Sequence, residues 1–432
     1  MIKRILKKII PPSILRMYYH IFPALGAFFY RFPSRKLIII GVTGTNGKST
    51  VVQLITNIFQ EAGLKIASIS SVRFQINNKE TQNDLKMTMP GRLKVQRFLR
   101  KAVNAGCKYA VLEVTSEGIK QFRHKFINFD TVVFTNLTKE HIEAHGSFEN
   151  YRATKGKLFK TSGLKTIIVN TDDKNAEYFL DFKAEKKLGY GINTKVQSEN
   201  FKTIAQNLKI VEGEELEILE DGLKIKIKDT EFNLKLLGEF NAYNSLAAVC
   251  VGLSQGISLG KIKQALEKIN SVSGRMELVI KEPFKVFVDY AHTPDALENV
   301  YKTLAGNRLI CVLGSCGGGR DKWKRPEFGR LAANYCSQII LTNEDPYGER
   351  PQNILKEIEK GILEYKTPNI NHQLIFNRQG AIKKALSLAR QGDTVIITGK
   401  GSEPWMCVAN GKKIPWDDRK IVKEEFQKLD FS

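Results

Sequence analysis

The chain runs to 432 residues, 42% hydrophobic and 26% charged, with a formal net charge of +22, which excludes a disordered or fibrous chain and implies two or three domains. Six cysteines (Cys107, Cys250, Cys311, Cys316, Cys336 and Cys407) form no C-x-x-C pair, so free thiols in a reducing cytoplasm are expected instead of a disulfide framework. The positive charge is spread thinly beyond residue 36, which argues against a nucleic-acid stripe and suits a polyanionic small-molecule substrate or an anionic membrane surface.

Residues 1–35 form a basic, amphipathic and aromatic segment. Up to residue 36 there are eight cations (Lys3, Arg4, Lys7, Lys8, Arg16, Arg31, Arg35, Lys36) and no acid. The strongest apolar run, IFPALGAFFY, contains Pro23, and Arg16 and His20 interrupt any longer window. A spanning helix needs about 20 apolar residues, and no small-residue site marks a cleavable signal. Two readings stand: an anchor at the inner face of the cell membrane, or a helical hairpin packed on the protein's own body.

From residue 36 the pattern is strand, loop, helix. KLIII predicts a buried strand, and STVVQLITNIFQEAG a helix burying Val51, Leu54, Ile55, Ile58 and Phe59, with Gly63 as its stop. KIASIS, YAVLEVTS, DTVVFTNL and KTIIVNTDD follow as strands, which implies a mostly parallel sheet covered on both faces. Residues 206–236 break the rhythm with apolar–polar alternation around Asp221-Gly222, a β-hairpin excursion. A boundary near 271 leads into a second α/β unit with strands RLICVLG, QIILTNED and DTVIITGKG. The expected fold is therefore α/β: a central P-loop-type ATPase domain with a mostly parallel sheet at 36–270, and a Rossmann-like C-terminal α/β domain at 271–432.

Between the first strand and helix stands GVTGTNGKST. G-x-x-x-x-G-K-[ST] would place a glycine at 42, where Val42 stands, and the glycines are at 41 and 44 instead. The strand–turn–helix context still predicts a phosphate cradle. Gly44, Thr45, Asn46, Gly47, Lys48, Ser49 and Thr50 would wrap the triphosphate, Lys48 neutralising its β and γ oxygens and Ser49 holding Mg²⁺. The competing reading is a tight turn with a lysine by chance.

G-T-N-G-K-[ST] resembles the ATP loop of the Mur ligases and their relatives, the folylpolyglutamate synthases and cyanophycin synthetases. Motifs from about residue 36 to about 420 most resemble the MurE type within that group. LEVTSEG is similar to the family's E-V-S-S-H, which implies that Glu113 ligates Mg²⁺; Glu117 stands where histidine is usual, and no contact is assigned to it. FTNLTKEHIEAHG implies His141 as a second-metal ligand, with His145 supporting the loop. YRATKGKLF matches Y-x-x-A-K-x-[RK]-L-F, which implies a carbamylated Lys155, with Lys157 as a surface residue. The resemblance thus implies two Mg²⁺ ions among Ser49, Glu113, His141 and Lys155. TMP stands for the family's T-T-P, which makes Thr88 a substrate contact.

Toward the C-terminus, GEFNAYNSLAA implies Asn241 and Asn244 beside adenine; the alternative is a pair of helix N-cap asparagines. SGRMELV puts Arg275 near the γ-phosphate. VDYAHTPDALENV gives Asp289 the ribose and His292 the phosphates, and in GGGRDKWKRPEFG Arg320, Lys322 and Lys324 would screen phosphate charge. The diaminopimelate-adding pattern D-N-P-R is replaced by Glu344, Asp345, Pro346 and Tyr347; Arg350 lies three residues on. GKGSEPW assigns Gly399 and Glu403 to the incoming amino acid, and IPWDDR closes the match.

The implied reaction is ATP-dependent: an acyl phosphate forms on UDP-N-acetylmuramoyl-L-alanyl-D-glutamate and an amino acid, expected to be a diamino acid, attacks it, in peptidoglycan synthesis. A monomer is expected, with the second domain closing about a hinge near 271 and without the family's usual UDP-binding first domain. Two alternatives remain: a folylpolyglutamate-type ligase, and a non-catalytic Mur-like scaffold at the membrane.

Overall fold

The computed structural model describes residues 12–85, 87–192, 208–365 and 371–429. The first eleven residues of the expected anchor and the first two of the expected hairpin excursion lie outside them. The chain divides into two compact units, one built from residues up to 139 with 145–270, the other from 140–144 with 271–432.

The first unit opens with helix α1 (Pro12–Phe29) and continues into an eleven-stranded sheet. Its strands are β1 (Ile38–Thr43), β2 (Ile66–Ile69), β3 (Arg73–Ile76), β4 (Lys79–Gln82), β5 (Tyr109–Glu113), β6 (Thr131–Phe134), β7 (Thr166–Asn170), β8 (Lys186–Ile192), β9 (Leu208–Leu219), β10 (Gly222–Ile227) and β11 (Thr230–Leu234). The order is β11-β10-β9-β8-β7-β6-β1-β5-β2-β3-β4. From β9 to β2 every neighbouring pair is parallel, and antiparallel pairs finish both edges. The expected excursion is thus a meander whose first strand, β9, continues the main sheet. The β3–β4 edge hairpin is an addition to the sequence reading; all of β4 is exposed, so no apolar alternation marks it.

Helices α2 (Lys48–Glu61), α3 (Arg92–Asn104), α4 (Phe148–Phe159), α5 (Glu239–Ser254) and α6 (Leu259–Glu267) cover the sheet. The five apolar residues expected on the inner face of α2 are all buried, each worth about 1.5–3 kcal/mol relative to exposure. Gly63 follows it at φ 75°, a left-handed stop.

The second unit is a six-stranded sheet of order β12-β13-β17-β14-β15-β16: β12 (Glu277–Ile280), β13 (Lys285–Val288), β14 (Leu309–Leu313), β15 (Gln338–Thr342), β16 (Asn371–Ile375) and β17 (Thr394–Ile397). Only β12 runs antiparallel. Helices α7 (Pro294–Leu304), α8 (Lys324–Tyr335), α9 (Pro351–Leu363), α10 (Arg378–Leu388) and α11 (Asp418–Phe426) accompany it, with a small hairpin β18 (Trp405–Cys407) and β19 (Lys413–Pro415). Val286, Val288, Ile310, Val312, Val395 and Ile397 pack with Ile382, Ala385 and Leu386 of α10 as its core.

Candidate active site

Strand β1 pairs with β5 on one side and β6 on the other, so the three carboxyl ends bring Gly44, Glu113 and Thr135 to one edge. This is where an open α/β sheet binds ligands. Gly47 has φ 81° and Gly44 φ 153°. A Cβ on Gly44 would overlap the Thr135 hydroxyl, and one on Gly47 the Asn244 amide oxygen. The displaced glycine therefore has a packing cause. Val42 is a buried strand residue, and the tight approach falls at 44.

Asn136 braces the turn: Thr45 N–H donates to its carbonyl at 2.8 Å and Asn46 N–H to its Oδ1 at 2.8 Å. Lys48 Nζ donates to Thr45 O at 2.7 Å, across the turn. Gly47 caps α2 without a side-chain acceptor, so the first-turn N–H groups and the helix dipole face the turn and favour an anion.

Beside the cradle, Glu113 Oε2 accepts from Ser49 Oγ at 2.8 Å, Ser71 N at 2.8 Å and Ser71 Oγ at 3.1 Å. Ser71, in the β2–β3 turn, belongs to no motif and was invisible to sequence reasoning. Among the described residues no group of three or more His, Cys, Asp or Glu side chains is arranged for a metal ion. One buried carboxylate with a hydroxyl is a hard oxygen set. It suits Mg²⁺, which keeps waters and phosphate oxygens as its other ligands.

Lys155, on α4, is 1% exposed, donates from Nζ to Gly44 O at 2.7 Å and lies 4.6 Å from the Tyr151 ring centroid. Burial drives its pKa well below the usual lysine range, Lys48 adds to that shift, and Glu113 opposes it. Lys157 is exposed, so the structure separates the two lysines. His145 meets Ser116 Oγ at 3.2 Å through Nε2 and Thr154 Oγ1 at 3.4 Å through Nδ1, a loop-supporting contact.

His141 lies in the 140–144 segment, which groups with the second unit. There Ile142 N and Glu143 N donate to Asp321 at 3.1 and 2.9 Å, and Lys324 Nζ pairs with Glu140 at 2.8 Å. Lys324 is thus buried in an ion pair, whereas Arg320 and Lys322 are exposed.

Asn241 and Asn244 are buried on α5; Asn241 Nδ2 donates to Leu237 O at 2.8 Å and Asn244 Nδ2 to Asn241 Oδ1 at 2.9 Å. The N-cap reading is corrected: Gly238 occupies that position. Thr88 is half-buried in the loop before α3, next to Met89, whose carbonyl accepts from Arg123 at 2.5 Å.

In the second unit, Asp289 follows β13 and accepts from Met276 N and Ala291 N, each at 2.6 Å. One oxygen thereby holds the loop of Arg275 and the other closes a local turn at Ala291; the Arg275 guanidinium carbon lies 4.3 Å from the Tyr290 ring centroid. Burial raises the Asp289 pKa and Arg275 opposes it. His292 Nδ1 meets Tyr290 O at 2.9 Å, and burial with Lys324 nearby holds its pKa well below 6.5.

At the ends of β15 and β17 stand the predicted amino-acid residues. Glu344 is buried, its carboxyl pushed up by burial, and it accepts from Cys316 Sγ at 2.8 Å. A Cβ on Gly399 would collide with Glu344, which explains its glycine. Lys400 Nζ bridges Asp345, at 2.9 and 3.0 Å, and Glu403, at 2.6 Å. Tyr290 O–H donates to Glu403 Oε1 at 3.3 Å. Tyr347, half-buried with φ 52°, lies against Gly318, and Arg350 is exposed at the start of α9.

Sequence reasoning missed what fixes these strand ends. Arg378 holds Asp418 at 2.8 and 2.7 Å, both side chains fully buried, and donates to Thr398 O at 2.8 Å and Asn343 O at 3.4 Å. Breaking a buried pair leaves an uncompensated charge. Arg378→Ala is therefore expected to destabilise the second unit by about 3–5 kcal/mol, read from a urea unfolding curve.

A parallel sheet whose central strands deliver a glycine turn, Lys48, Ser49 and Glu113 to one edge defines a P-loop-type nucleotide-binding protein. Residues 42–252 match the Mur ligase middle domain and residues 274–401 match the Mur ligase, glutamate ligase domain. The chain belongs to the Mur ligase family. It is 37% identical over 412 residues to UDP-N-acetylmuramoyl-L-alanyl-D-glutamate--2,6-diaminopimelate ligase 1 of Clostridium acetobutylicum, covering 94% of this chain and 81% of that one. The 2,6-diaminopimelate ligase of Aquifex aeolicus is 38% identical over 407 residues, with coverage of 93% and 80%. A solved 2,6-diaminopimelate ligase structure superposes with TM-score 0.62 at 28% identity, covering 94% and 82%. Folylpolyglutamate synthase of Mycobacterium tuberculosis with ADP shares the fold, TM-score 0.67 at 17% identity, covering 92% and 94%.

Proposed function

We propose that this protein is an ATP-dependent ligase that joins an amino acid to the D-glutamate carboxyl of UDP-N-acetylmuramoyl-L-alanyl-D-glutamate in peptidoglycan synthesis. The observation that carries this reading is the cradle with Lys48, Ser49, Glu113 and the buried Lys155 gathered at one sheet edge; the names of the relatives supply the substrate. The acid's oxygen attacks the γ-phosphorus and ADP leaves. The amine then attacks the acyl carbon, phosphate departs with the C–O bond electrons, and the amine's proton passes to solvent. Positioning and charge neutralisation supply the rate. Ser49 and Glu113 would hold Mg²⁺, which would supply charge screening for the phosphates, and His141 would be a ligand of a second ion.

We assign Lys155 as the carbamylated lysine. A neutral buried amine is the form that attacks CO₂, and loss of one proton leaves an anion beside Lys48 in place of a second cation. Asn241 and Asn244 are assigned to the adenine, Arg275, Asp289 and His292 to the nucleotide, and Thr88 to the muramoyl-dipeptide. Gly399 and Glu403 receive the α-amino end of a diamino acid. Tyr347 offers no guanidinium fork to a distal carboxylate.

The chain incubated with ATP, the muramoyl-dipeptide and equal lysine, diaminopimelate and ornithine is expected to give one condensation product per ADP, by mass spectrometry. No product and no ADP with any amine would leave the non-catalytic scaffold; glutamylation of a folate in a parallel reaction would favour the folylpolyglutamate type. The protein is further proposed to act as a cytoplasmic monomer that touches the inner face of the cell membrane through residues 1–35.

A further inference from the structure

Helix α1 is two-faced. Pro23, Gly26 and Ala27 are buried against α3, where a Cβ on Gly26 would meet Leu93 Cδ2 at 3.1 Å and Gln96 Cγ at 3.4 Å. Arg100 closes the end of α1 by donating to Tyr30 O at 2.9 and 2.7 Å and to Arg31 O at 2.9 Å. The other face is bare: Ile21, Leu25, Phe28 and Phe29 are 43%, 53%, 73% and 75% exposed. Their i, i+4, i+7, i+8 spacing makes one continuous apolar stripe. Two adjacent phenylalanines so exposed mark an interaction site.

The charge around the stripe has one sign. Arg31, Arg35 and Lys36 are exposed just beyond α1. Along α3, Leu93 is 43% exposed where it touches α1, and exposed Arg97 and Lys101 continue its stripe at i+4 and i+8, with Lys94 alongside. Neither residues 12–36 nor α3 contains an acid. A second copy of this chain would bring like charges together, and nucleic acid would leave the phenylalanines in water. Anionic lipid satisfies both features, taking the apolar side chains among acyl chains and the cations among headgroups. Among the described residues no helix is long and apolar enough to cross a membrane, so the contact lies along the surface.

We propose that α1 and α3 together form a docking face for an anionic bilayer, the apolar stripe inserting and Lys94, Arg97 and Lys101 gripping headgroups. This rests on the peripheral contact proposed above and extends it: α3 is half of the surface, so the anchor is a face of the folded unit and not a free tail. Because α3 begins at Arg92, two residues after Pro90, docking brings the Thr88–Pro90 loop to the lipid surface.

The full chain should cosediment with vesicles of phosphatidylcholine containing about one-third phosphatidylglycerol and bind pure phosphatidylcholine far more weakly. Raising the salt from about 0.1 M to about 1 M should weaken the anionic binding. Phe28→Ser with Phe29→Ser, and separately Lys94→Glu with Arg97→Glu and Lys101→Glu, should each reduce anionic binding, the charge reversals by about a hundredfold or more. The urea midpoint of each variant should match the parent's. If the parent binds and the three charge reversals change nothing, the α1–α3 face is wrong while the peripheral reading stands. If the parent ignores anionic vesicles, both fall. A parent dimer in sedimentation that the phenylalanine variant abolishes would assign the stripe to a second copy and overturn the lipid assignment.

Discussion

Lys155→Met is expected to abolish amide formation, by about a thousandfold or more, while leaving the fold at least as stable as the parent's. Methionine keeps the stem and removes the ammonium. Its hydrogen bond to Gly44 O, worth about 1 kcal/mol net, is lost, but so is the larger cost of desolvating the amine and shifting its proton equilibrium. The pH dependence gives the sign. In CO₂-free buffer, where Lys155 carries no carbamate, its folded-state pKa is lowered against about 10.4 for an unfolded lysine. Between those two values the unfolded chain binds more protons than the folded one, so stability rises with pH across that window. Lys155→Met should flatten that rise, seen in urea midpoints measured from neutral to alkaline pH. For the carbamate, Lys155→Ala should be inactive and recover part of its rate with added acetate or formate, whose carboxylate fits the vacated space. A Lys155→Ala enzyme with parental turnover would remove this residue from the chemistry.

Lys48→Ala should eliminate ATP turnover, about a thousandfold or more by coupled ADP release. The ammonium reaches back over the turn to Thr45 O at 2.7 Å, within the anion seat made by the start of α2. Lys48→Arg should rescue poorly, because a planar guanidinium does not reproduce a compact charge in a cradle sized by Gly44 and Gly47. Parental turnover in Lys48→Ala would end the assignment of this turn to phosphate.

Much of the first site was legible because its chemistry sits in short runs. The glycine turn, Lys48 and Ser49 are contiguous, and Glu113 ends an apolar strand. Even the inward lysine had a signal: Tyr151, Lys155, Leu158 and Phe159 share one helical stripe, while Lys157 falls outside it. What stayed hidden depends on distant partners. Ser71 reaches Glu113 from an unremarkable turn, and Arg378 finds Asp418 forty residues later. The two asparagines of α5 carry the residue type of a cap, yet Gly238 is the N-cap, and the amides are spent on the Leu237 carbonyl and on each other. For residues 1–35 the sequence left a packed helical hairpin and a membrane anchor as rivals; the described part of α1 buries Pro23, Gly26 and Ala27 and exposes Ile21, Leu25, Phe28 and Phe29.

The hydroxyl of Thr135 and the amide of Asn244 fill the space that side chains at 44 and 47 would need. The cradle is therefore not a self-standing loop but the negative imprint of two segments made much later during synthesis. A ribosome that has released only the first hundred residues holds the whole nucleotide motif and no pocket. The seat proposed for ATP is therefore walled on all these sides only once the helix that carries Asn244 has been made.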